Sequence, residues 1–396
     1  MTTTTSPAEP DVRHAGLARV DVRHCDELSY EAFVEEYMIP LKPVLIEGVA
    51  RGWRSMEEWV CPSDGSIDLG FLAARFGESE VCVTDTSGTD GYGEGASRTM
   101  RLSDYVHWWR SRGSCGDQAG GAGSESLYVK DWHFAAEHPE YQAYTCPTYF
   151  CDDWLNSWYD RRRAEEETAA PTTSDYRFVY LGPAGTRTPV HHDVLMSHSW
   201  SINVSGTKRW LLVPPSHTAY LHSVTGADCL VPTLDAGRLS AAQREQFADV
   251  AKAAVLEVTQ PAGQALFVPS GWHHEVVNAT DALSINHNWI NAACLPHLWA
   301  FLDAETTAAR RLIEDCRPLC ADEAEFEGLV GNNVRANAGL NWQDVRCLLE
   351  SVARGGGVLD PGRGSVCSAL AAATRDSQRV AGEWLARLLG TQPGAL

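Results

Sequence analysis

The composition of the chain changes at Tyr176. From there to residue 288 it consists of short runs rich in β-branched and aromatic residues, most of them separated by Gly or Pro turns. Short strands at this spacing are typical of a β-sandwich or a jelly roll, so we predict a mainly β core. The predicted strands are Tyr176–Leu181, Ser199–Val204, Arg209–Val213, Ala265–Val268, Glu275–Asn278 and Ala282–Asn288.

Other patterns flank and interrupt this β-rich segment. The first residues are polar, and residues 1–27 are predicted to be a flexible tail. Apolar residues at helical spacing and a strand-like run follow, so residues 28–125 are predicted to be an α/β region that supports the core. The β domain is assigned to residues 126–300, with a helical insertion at residues 235–258. Beyond it, residues 301–396 have a helical pattern and are predicted to be a C-terminal helical region.

Composition excludes several classes of partner. The 396 residues include 32 basic and 52 acidic ones, which gives a net charge of −20. We therefore expect no binding to nucleic acid or to anionic membranes through a broad basic face. No apolar run reaches about 18 residues, so no transmembrane helix is predicted. Because the first residues lack the apolar segment of a secretory signal, we expect the cytoplasm, or else the nucleus, and mostly free thiols.

The placement of the histidines indicates a metal site. Nine of the fourteen histidines lie between positions 191 and 297. On a strand, side chains two residues apart share a face, so His191 and Asp193 can bind one ion while His192 points away. A third ligand has to come from another strand, and His274 is the candidate. Two imidazoles and one carboxylate leave positions open on an iron(II) ion, as binding of a co-substrate and dioxygen requires.

Lys208 is the candidate cation for a co-substrate. Iron sites of this kind need an electron donor such as the diacid 2-oxoglutarate, whose far carboxylate requires a positive charge deep in the pocket. Lys208 follows the His-x-Asp motif on the next strand, and a lysine can pair with one carboxylate as a point charge. The alternative is an exposed strand lysine. Residues 181–300 contain only six basic residues, which favours the functional interpretation.

Longer segments resemble the JmjC-domain 2-oxoglutarate oxygenases over roughly residues 28–300. Among these enzymes, the segments are similar to the small JmjC lysyl hydroxylases that modify the eukaryotic translation termination factor. The resemblance implies a double-stranded β-helix, the cupin-like jelly roll, with iron at one mouth. The matching segments are Leu127–His133, Asp153–Asn156, Tyr176–Gly185, Ser199–Gly206, Trp210–Pro215 and Ser284–Asn291.

The resemblance also implies a role for individual residues. His191, Asp193 and His274 match the iron ligands of the family. His274 is preferred to His273 because it lies five residues after Pro269, which is the family's spacing. These three residues are the predicted metal and catalytic site.

Further positions match the family's contacts with 2-oxoglutarate. Lys208 matches the lysine that binds the far carboxylate, and Thr188 and Tyr128 match polar contacts to the same group. Asn288 resembles the Asn near the iron and the inner carboxylate. One position departs from the family: Ser201 stands where many relatives carry an Asn that contacts the co-substrate. Asn203, two residues on, faces the same way and can replace that contact.

The resemblance implies a reaction and a substrate. Fe(II), 2-oxoglutarate and O2 would hydroxylate a lysine side-chain carbon of the translation termination factor, giving succinate and CO2. Two alternatives stay open: a JmjC demethylase of methyl-lysine in histones, because hydroxylation of an N-methyl group releases formaldehyde, and a non-enzymatic cupin-like binding protein. Relatives often dimerise through C-terminal helices, so we expect a monomer or a homodimer.

Overall fold

Thirteen strands form two sheets in the computed structural model, which describes residues 19–87, 95–112, 125–165, 175–226, 229–359 and 368–390. The strands are β1 (Asp21–His24), β2 (Val44–Glu47), β3 (Glu80–Asp85), β4 (Ser97–Arg101), β5 (Leu127–Trp132), β6 (Arg177–Gly182), β7 (Arg187–His192), β8 (His198–Ser205), β9 (Lys208–Val213), β10 (Leu256–Gln260), β11 (Ala265–Val268), β12 (His273–Asn278) and β13 (Ala282–Trp289). The large sheet has the order β1-β2-β11-β8-β13-β6-β5-β3-β4, and the small sheet has the order β10-β9-β12-β7.

The topology is that of a jelly roll. From β6 to β13 the chain passes repeatedly between the two sheets. The strand pairs formed within this stretch are antiparallel. This arrangement is the double-stranded β-helix. The predicted fold, a mainly β core with flanking helices, is confirmed.

The two central strands of the large sheet, β8 and β13, have different chemistry on their two faces. Trp200, Ile202 and Ile285 belong to a large apolar core that the sheet shares with the N-terminal region. The alternate positions, Ser199 and Asn286 among them, line a pocket between the two sheets. Because successive side chains on a strand point to opposite faces, one face stabilises the fold and the other supplies polar groups to the interior.

Helices cover the outside of the sheets. They are α1 (Tyr30–Phe33), α2 (Arg54–Glu58), α3 (Leu69–Phe76), α4 (Leu102–Arg112), α5 (Phe134–Glu137), α6 (Trp154–Glu165), α7 (Ala241–Gln246), α8 (Leu295–Leu312), α9 (Glu323–Ala338), α10 (Trp342–Ala353) and α11 (Ser368–Leu388). The last four pack with α6 into a second apolar core. Of the helices in the described ranges, none is both long and apolar enough to cross a bilayer.

The structure differs from the predicted boundaries at two places. Within the predicted tail, residues 1–27, the strand β1 pairs in parallel with β2, while residues 1–18 lie outside the described ranges. The predicted insertion, residues 235–258, contains α7 and a 3-10 turn at Ala248–Lys252, but β10 begins at Leu256. Buried and exposed residues alternate along β10, and this period of two favours a strand over a helix.

Asn156 on α6 connects the helical layer to the site. Its side chain is fully buried. Its Nδ2 donates to Asp153 Oδ2 at 2.6 Å and to the Asn288 carbonyl at 2.9 Å, and its Oδ1 accepts from the Tyr176 amide at 2.8 Å. One amide therefore fixes α6, the start of β6 and the end of β13 relative to one another.

We expect Asn156→Ala to lower the free energy of unfolding by about 3 kcal/mol, because it removes three buried hydrogen bonds and leaves their partners unsatisfied. Equilibrium unfolding in urea measures the change. Asn337→Ala is the matched control, because Asn337 is exposed on α9 and its Nδ2 donates one solvent-exposed hydrogen bond, to Asn333 Oδ1 at 3.0 Å. Equal midpoints for the two variants would show that the Asn156 contacts are not stabilising.

Candidate active site

His191, Asp193 and His274 lie together between the two sheets. Each offers one ligand atom, and these atoms all lie within 4.8 Å of one another. His191 and His274 are paired across β7 and β12. Asp193 follows the end of β7 in an extended conformation, with φ −65° and ψ 148°, so the alternation continues and its side chain lies on the face of His191. The predicted trio is thus brought to one point.

A bulge in β7 lets Thr188 join the same face. His274 is paired with His191 and Val276 with Thr188, so an extra residue of β7 lies between the two pairs. Thr188 and His191 are three residues apart and nevertheless both line the interior pocket. Pro189 lies in the bulge, where the missing N–H removes no ladder hydrogen bond.

The two imidazoles are oriented for metal binding. Nδ1 of His191 donates to the Pro189 carbonyl at 2.8 Å, and Nδ1 of His274 donates to the Trp272 carbonyl at 3.3 Å. Because a carbonyl oxygen can only accept, Nδ1 carries a proton in both rings, which leaves the lone pair of a neutral imidazole on Nε2. Burial, and then the neighbouring His274, lower the pKa of His191 well below its usual value. The ring is therefore neutral at pH 7, as a metal ligand must be.

The Asp193 carboxylate is held by two residues of the large sheet. Asn288 Nδ2 donates to its Oδ1 at 2.7 Å, and Ser199 Oγ donates to its Oδ2 at 2.7 Å. A carboxylate oxygen has two lone pairs, so each oxygen can still bind a cation. Asn288, predicted to lie near the metal, thus acts on the metal ligand itself.

Lys208 is buried in the same pocket, with 2% of its surface exposed. Its Nζ donates to Ser284 Oγ at 2.6 Å and lies 3.5 Å from the Tyr128 hydroxyl. In the described part of the chain no carboxylate pairs with it, and burial alone lowers its pKa to about 7. A buried cation without a counter-ion is costly, so this position favours a ligand that carries a negative charge.

The position of Lys208 in the fold differs from the prediction. The strand that follows the His-x-Asp motif is β8, which lies in the large sheet, whereas Lys208 begins β9. Within the small sheet, β12 separates β9 from β7. Leu212, four positions along β9, is the residue paired with His274. Four positions correspond to roughly 13 Å of strand, so the cation and the metal ligands are far apart along the pocket.

Several residues of the pocket were not predicted. Ser199 and Ser284 hold Asp193 and Lys208 through the hydrogen bonds given above. The alternation of polar and apolar residues along β8 and β13 indicates that both serines face the interior. It does not indicate which polar residue contacts Asp193 and which contacts Lys208. The other unpredicted lining residues are Tyr180, Trp210, Val276 and Asn286.

Ser201 and Asn203 do not line the pocket. Asn203 Nδ2 donates to the Gln260 carbonyl at 2.7 Å, and the Ser201 carbonyl accepts from Gln260 Nε2 at 2.7 Å. Both residues are buried and are connected to β10 across the interior. Gln260 therefore occupies Nδ2 of Asn203, whereas Asn203 Oδ1 and the Ser201 hydroxyl have no hydrogen-bond partner among the described residues. The contact of Asn203 with the co-substrate stays a prediction.

Comparisons with known proteins identify the family. A family model described as "Cupin-like domain" matches residues 30–293. The "Arginine-specific demethylase JMJ20" of Arabidopsis thaliana is 36% identical over 339 residues, which cover 84% of this chain and 70% of that protein. The "2-oxoglutarate and iron-dependent oxygenase JMJD4" of Homo sapiens is 36% identical over 330 residues, which cover 82% of this chain and 73% of that protein. The chain belongs to the JmjC family of iron- and 2-oxoglutarate-dependent oxygenases.

The residues of this JmjC chain fit the two cofactors of its family. Two imidazoles and one carboxylate are the donor set that suits iron(II) with open coordination positions. The unpaired, buried Lys208 suits the far carboxylate of 2-oxoglutarate, and Tyr128 and Thr188 lie in the same pocket. The predicted contacts are thus gathered in one cavity with the metal ligands at one side.

We expect His191→Ala to lower the affinity for Fe(II) or Mn(II) about 100-fold or more, because one of three protein ligands is lost. Metal content after dialysis, measured by mass spectrometry, gives the result. His217→Ala is the matched control, since its ring packs against Tyr220, with ring centroids 5.4 Å apart, and does not line the pocket of the metal trio. Loss of metal from both variants, or from neither, would contradict the assignment of ligands.

The pKa of Lys208 predicts how 2-oxoglutarate affinity depends on pH. In the free protein the pKa is about 7, and a bound carboxylate raises it because it favours the charged amine. Binding above pH 7 therefore takes up a proton, so the Kd rises up to about tenfold per pH unit, whereas below pH 7 it is flat. Calorimetry on the Mn(II)-loaded protein measures the Kd.

The control for this pH dependence is Lys208→Met. This variant keeps the length of the side chain and removes the titrating amine. We expect weak binding of 2-oxoglutarate that no longer changes between pH 6 and pH 9. A wild-type Kd that is constant over the same range would show that Lys208 is already charged in the free protein.

Proposed function

We propose that this oxygenase hydroxylates a lysine side-chain carbon of the translation termination factor in the cytoplasm or the nucleus. The observation that carries the proposal is the pocket itself: the trio His191, Asp193 and His274 and the unpaired cation Lys208 face one cavity between the sheets. The similarity of the motif segments to the termination-factor lysyl hydroxylases supports the choice of substrate. The human relative named as a 2-oxoglutarate and iron-dependent oxygenase supports the class of reaction.

The bound cofactors supply the oxidising chemistry, in which O2 and 2-oxoglutarate become succinate and CO2 and one oxygen atom enters a substrate C–H bond. The chain's own residues bind, orient and exclude water. His191, Asp193 and His274 would hold the iron, and Ser199 and Asn288 keep the carboxylate oriented through both of its oxygens. Lys208 and His274 are buried, which limits the access of water to the inner part of the cofactor site, whereas His191 and Asp193 are partly exposed at its mouth.

Lys208, with Tyr128 and Thr188, would hold the far carboxylate of 2-oxoglutarate. The hydrogen bond from Nζ to Ser284 Oγ fixes the amine before the ligand arrives. A positive charge placed in advance reduces the reorganisation that binding requires. The lysine lies at one side of the pocket and the metal ligands at the other. These two positions define the direction in which the diacid would lie.

A second candidate function is the demethylation of methylated arginine. The Arabidopsis thaliana relative named as an arginine-specific demethylase is 36% identical to this chain, the same identity as the human oxygenase. The cofactor site does not distinguish the two reactions, because hydroxylation of an N-methyl carbon gives a product that releases formaldehyde. Demethylation of methyl-lysine has the same chemistry and is covered by the same assay.

We expect the iron-loaded enzyme to add one oxygen atom to a lysine of the recombinant termination factor in the presence of 2-oxoglutarate and O2. Peptide mass spectrometry locates the oxygen, and an assay for formaldehyde runs in parallel on peptides with methylated arginine or methylated lysine. Asp193→Ala is the inactive control, because it removes a ligand of the metal. No added oxygen on any lysine, together with formaldehyde from methyl-arginine peptides, would replace the first function by the second.

A further inference from the structure

A cleft of about 650 Å³ adjoins the cofactor pocket. Among the residues that line both cavities are His191, Asp193 and Tyr180. The cleft therefore gives a substrate side chain access to the metal ligands. One wall consists of aromatic residues: Tyr159 of α6, Tyr176 directly before β6, and Phe178 and Tyr180 of β6.

Asp131 at the end of β5 is directed to the cleft by a bulge. Val129 is paired with Leu181 and Trp132 with Val179, so one extra residue of β5 lies between these pairs. Val129 and Trp132 both pack in the outer core. Asp131 has φ 54°, the left-handed region that non-glycine residues rarely adopt, and it lines the cleft. Such conformations persist where the surrounding structure fixes them, often at functional sites.

Tyr180 holds Asp131 and separates the two cavities. Its hydroxyl donates to Asp131 Oδ1 at 2.5 Å. Lys208 Nζ lies 5.4 Å from the centre of its ring. The same side chain thus contacts the cofactor pocket with its ring and orients a carboxylate in the cleft with its hydroxyl.

Asp131 is the exposed carboxylate of the cleft. Asp175 also lines it, but its carboxylate is buried and bonded to His133 at 2.8 Å and to Arg177 at 2.9 Å. Lys130, which neighbours Asp131 on the bulge, is the other charged residue at this end of the lining. Aromatic walls that end at a carboxylate suit a side chain with an apolar stem and a cationic tip.

We propose that Asp131 determines substrate specificity by binding the cationic tip of the substrate side chain, while Tyr176, Phe178 and Tyr180 pack on its stem. The ligand class is a lysine or a methylated arginine, both of which carry a charge beyond an aliphatic stem. The inference rests on one part of the proposed function, namely that the substrate is a side chain of a protein. It does not depend on which protein carries that side chain.

The test compares charged and neutral side chains on the complete enzyme loaded with Mn(II) and 2-oxoglutarate. The probes are five-residue peptides that carry lysine, dimethylarginine or norleucine at the central position, and NMR titration gives their Kd. We expect the wild type to prefer the two cationic peptides to norleucine about tenfold or more, as a charge-assisted hydrogen bond predicts. In Asp131→Asn the preference falls below about threefold. Asn tolerates a positive φ, so this variant should keep the local fold.

Two further variants separate specificity from general effects of charge. Glu257→Gln removes another exposed carboxylate, which lies on β10 outside the cleft. In the wild type, Glu257 Oε1 lies 2.6 Å from Arg209 Nε. We expect it to keep the wild-type preference. Tyr180→Phe keeps the ring but releases Asp131, so the preference should fall to an intermediate value. An unchanged preference in Asp131→Asn, or an equal loss in Glu257→Gln, would overturn the inference.

Turnover of the termination factor separates this inference from the proposed function. If Asp131→Asn raises the KM for the factor about tenfold and changes kcat less than threefold, both hold. If the factor is hydroxylated with an unchanged KM, the inference fails and the function stands. If the factor is not hydroxylated but the peptide preference depends on Asp131, the function fails and the inference stands.

Discussion

The polar interior between the two sheets is the constraint on which the rest of the structure depends. Buried polar groups are costly unless they are paired, and the interior holds a lysine, several amides and the candidate metal ligands. The pairs are made across the sheets: Asn288 and Ser199 of the large sheet hold Asp193, and Ser284 holds Lys208 of the small sheet. Apolar cores on the outer side of the large sheet and among the C-terminal helices offset this cost. The stability of the fold is thus largely separate from the chemistry of the site.

The metal site could be predicted from the sequence because successive side chains on a strand point to alternate faces. His191 and Asp193 are two residues apart on an extended segment, so their common face follows from strand geometry alone. The structure has a strand at each of the six predicted β-rich runs, but β7 and β10 of the jelly roll were not among these runs. The spacing of His191 and Asp193 could not identify the strand that carries the third ligand. For that ligand the sequence supplied only a candidate, His274.

Long-range pairing explains what the sequence did not predict. Lys208 was placed on the strand next to the metal motif, but the chain crosses to the other sheet first, and β12 lies between β9 and β7. Ser199 and Asn288 meet at Asp193 because β8 and β13 are neighbours, with Asn288 paired to Ser199. Such contacts depend on sheet order and register, which no local pattern in one sequence encodes.

The two bulges at the site show how one fold can carry different specificities. The bulge in β7 adds Thr188 to the face of His191, and the bulge in β5 places Asp131 in the cleft. A bulge depends on one extra residue, so it can alter a side chain's direction without changing the pairing of the strands beyond it. The metal ligands and Lys208 lie on six-residue strands of the small sheet or directly after them, whereas Asp131 lies at an irregular strand end and lines the cleft. A change at the bulge of β5 can therefore alter the cleft while the strands that carry the metal ligands and Lys208 keep their pairing.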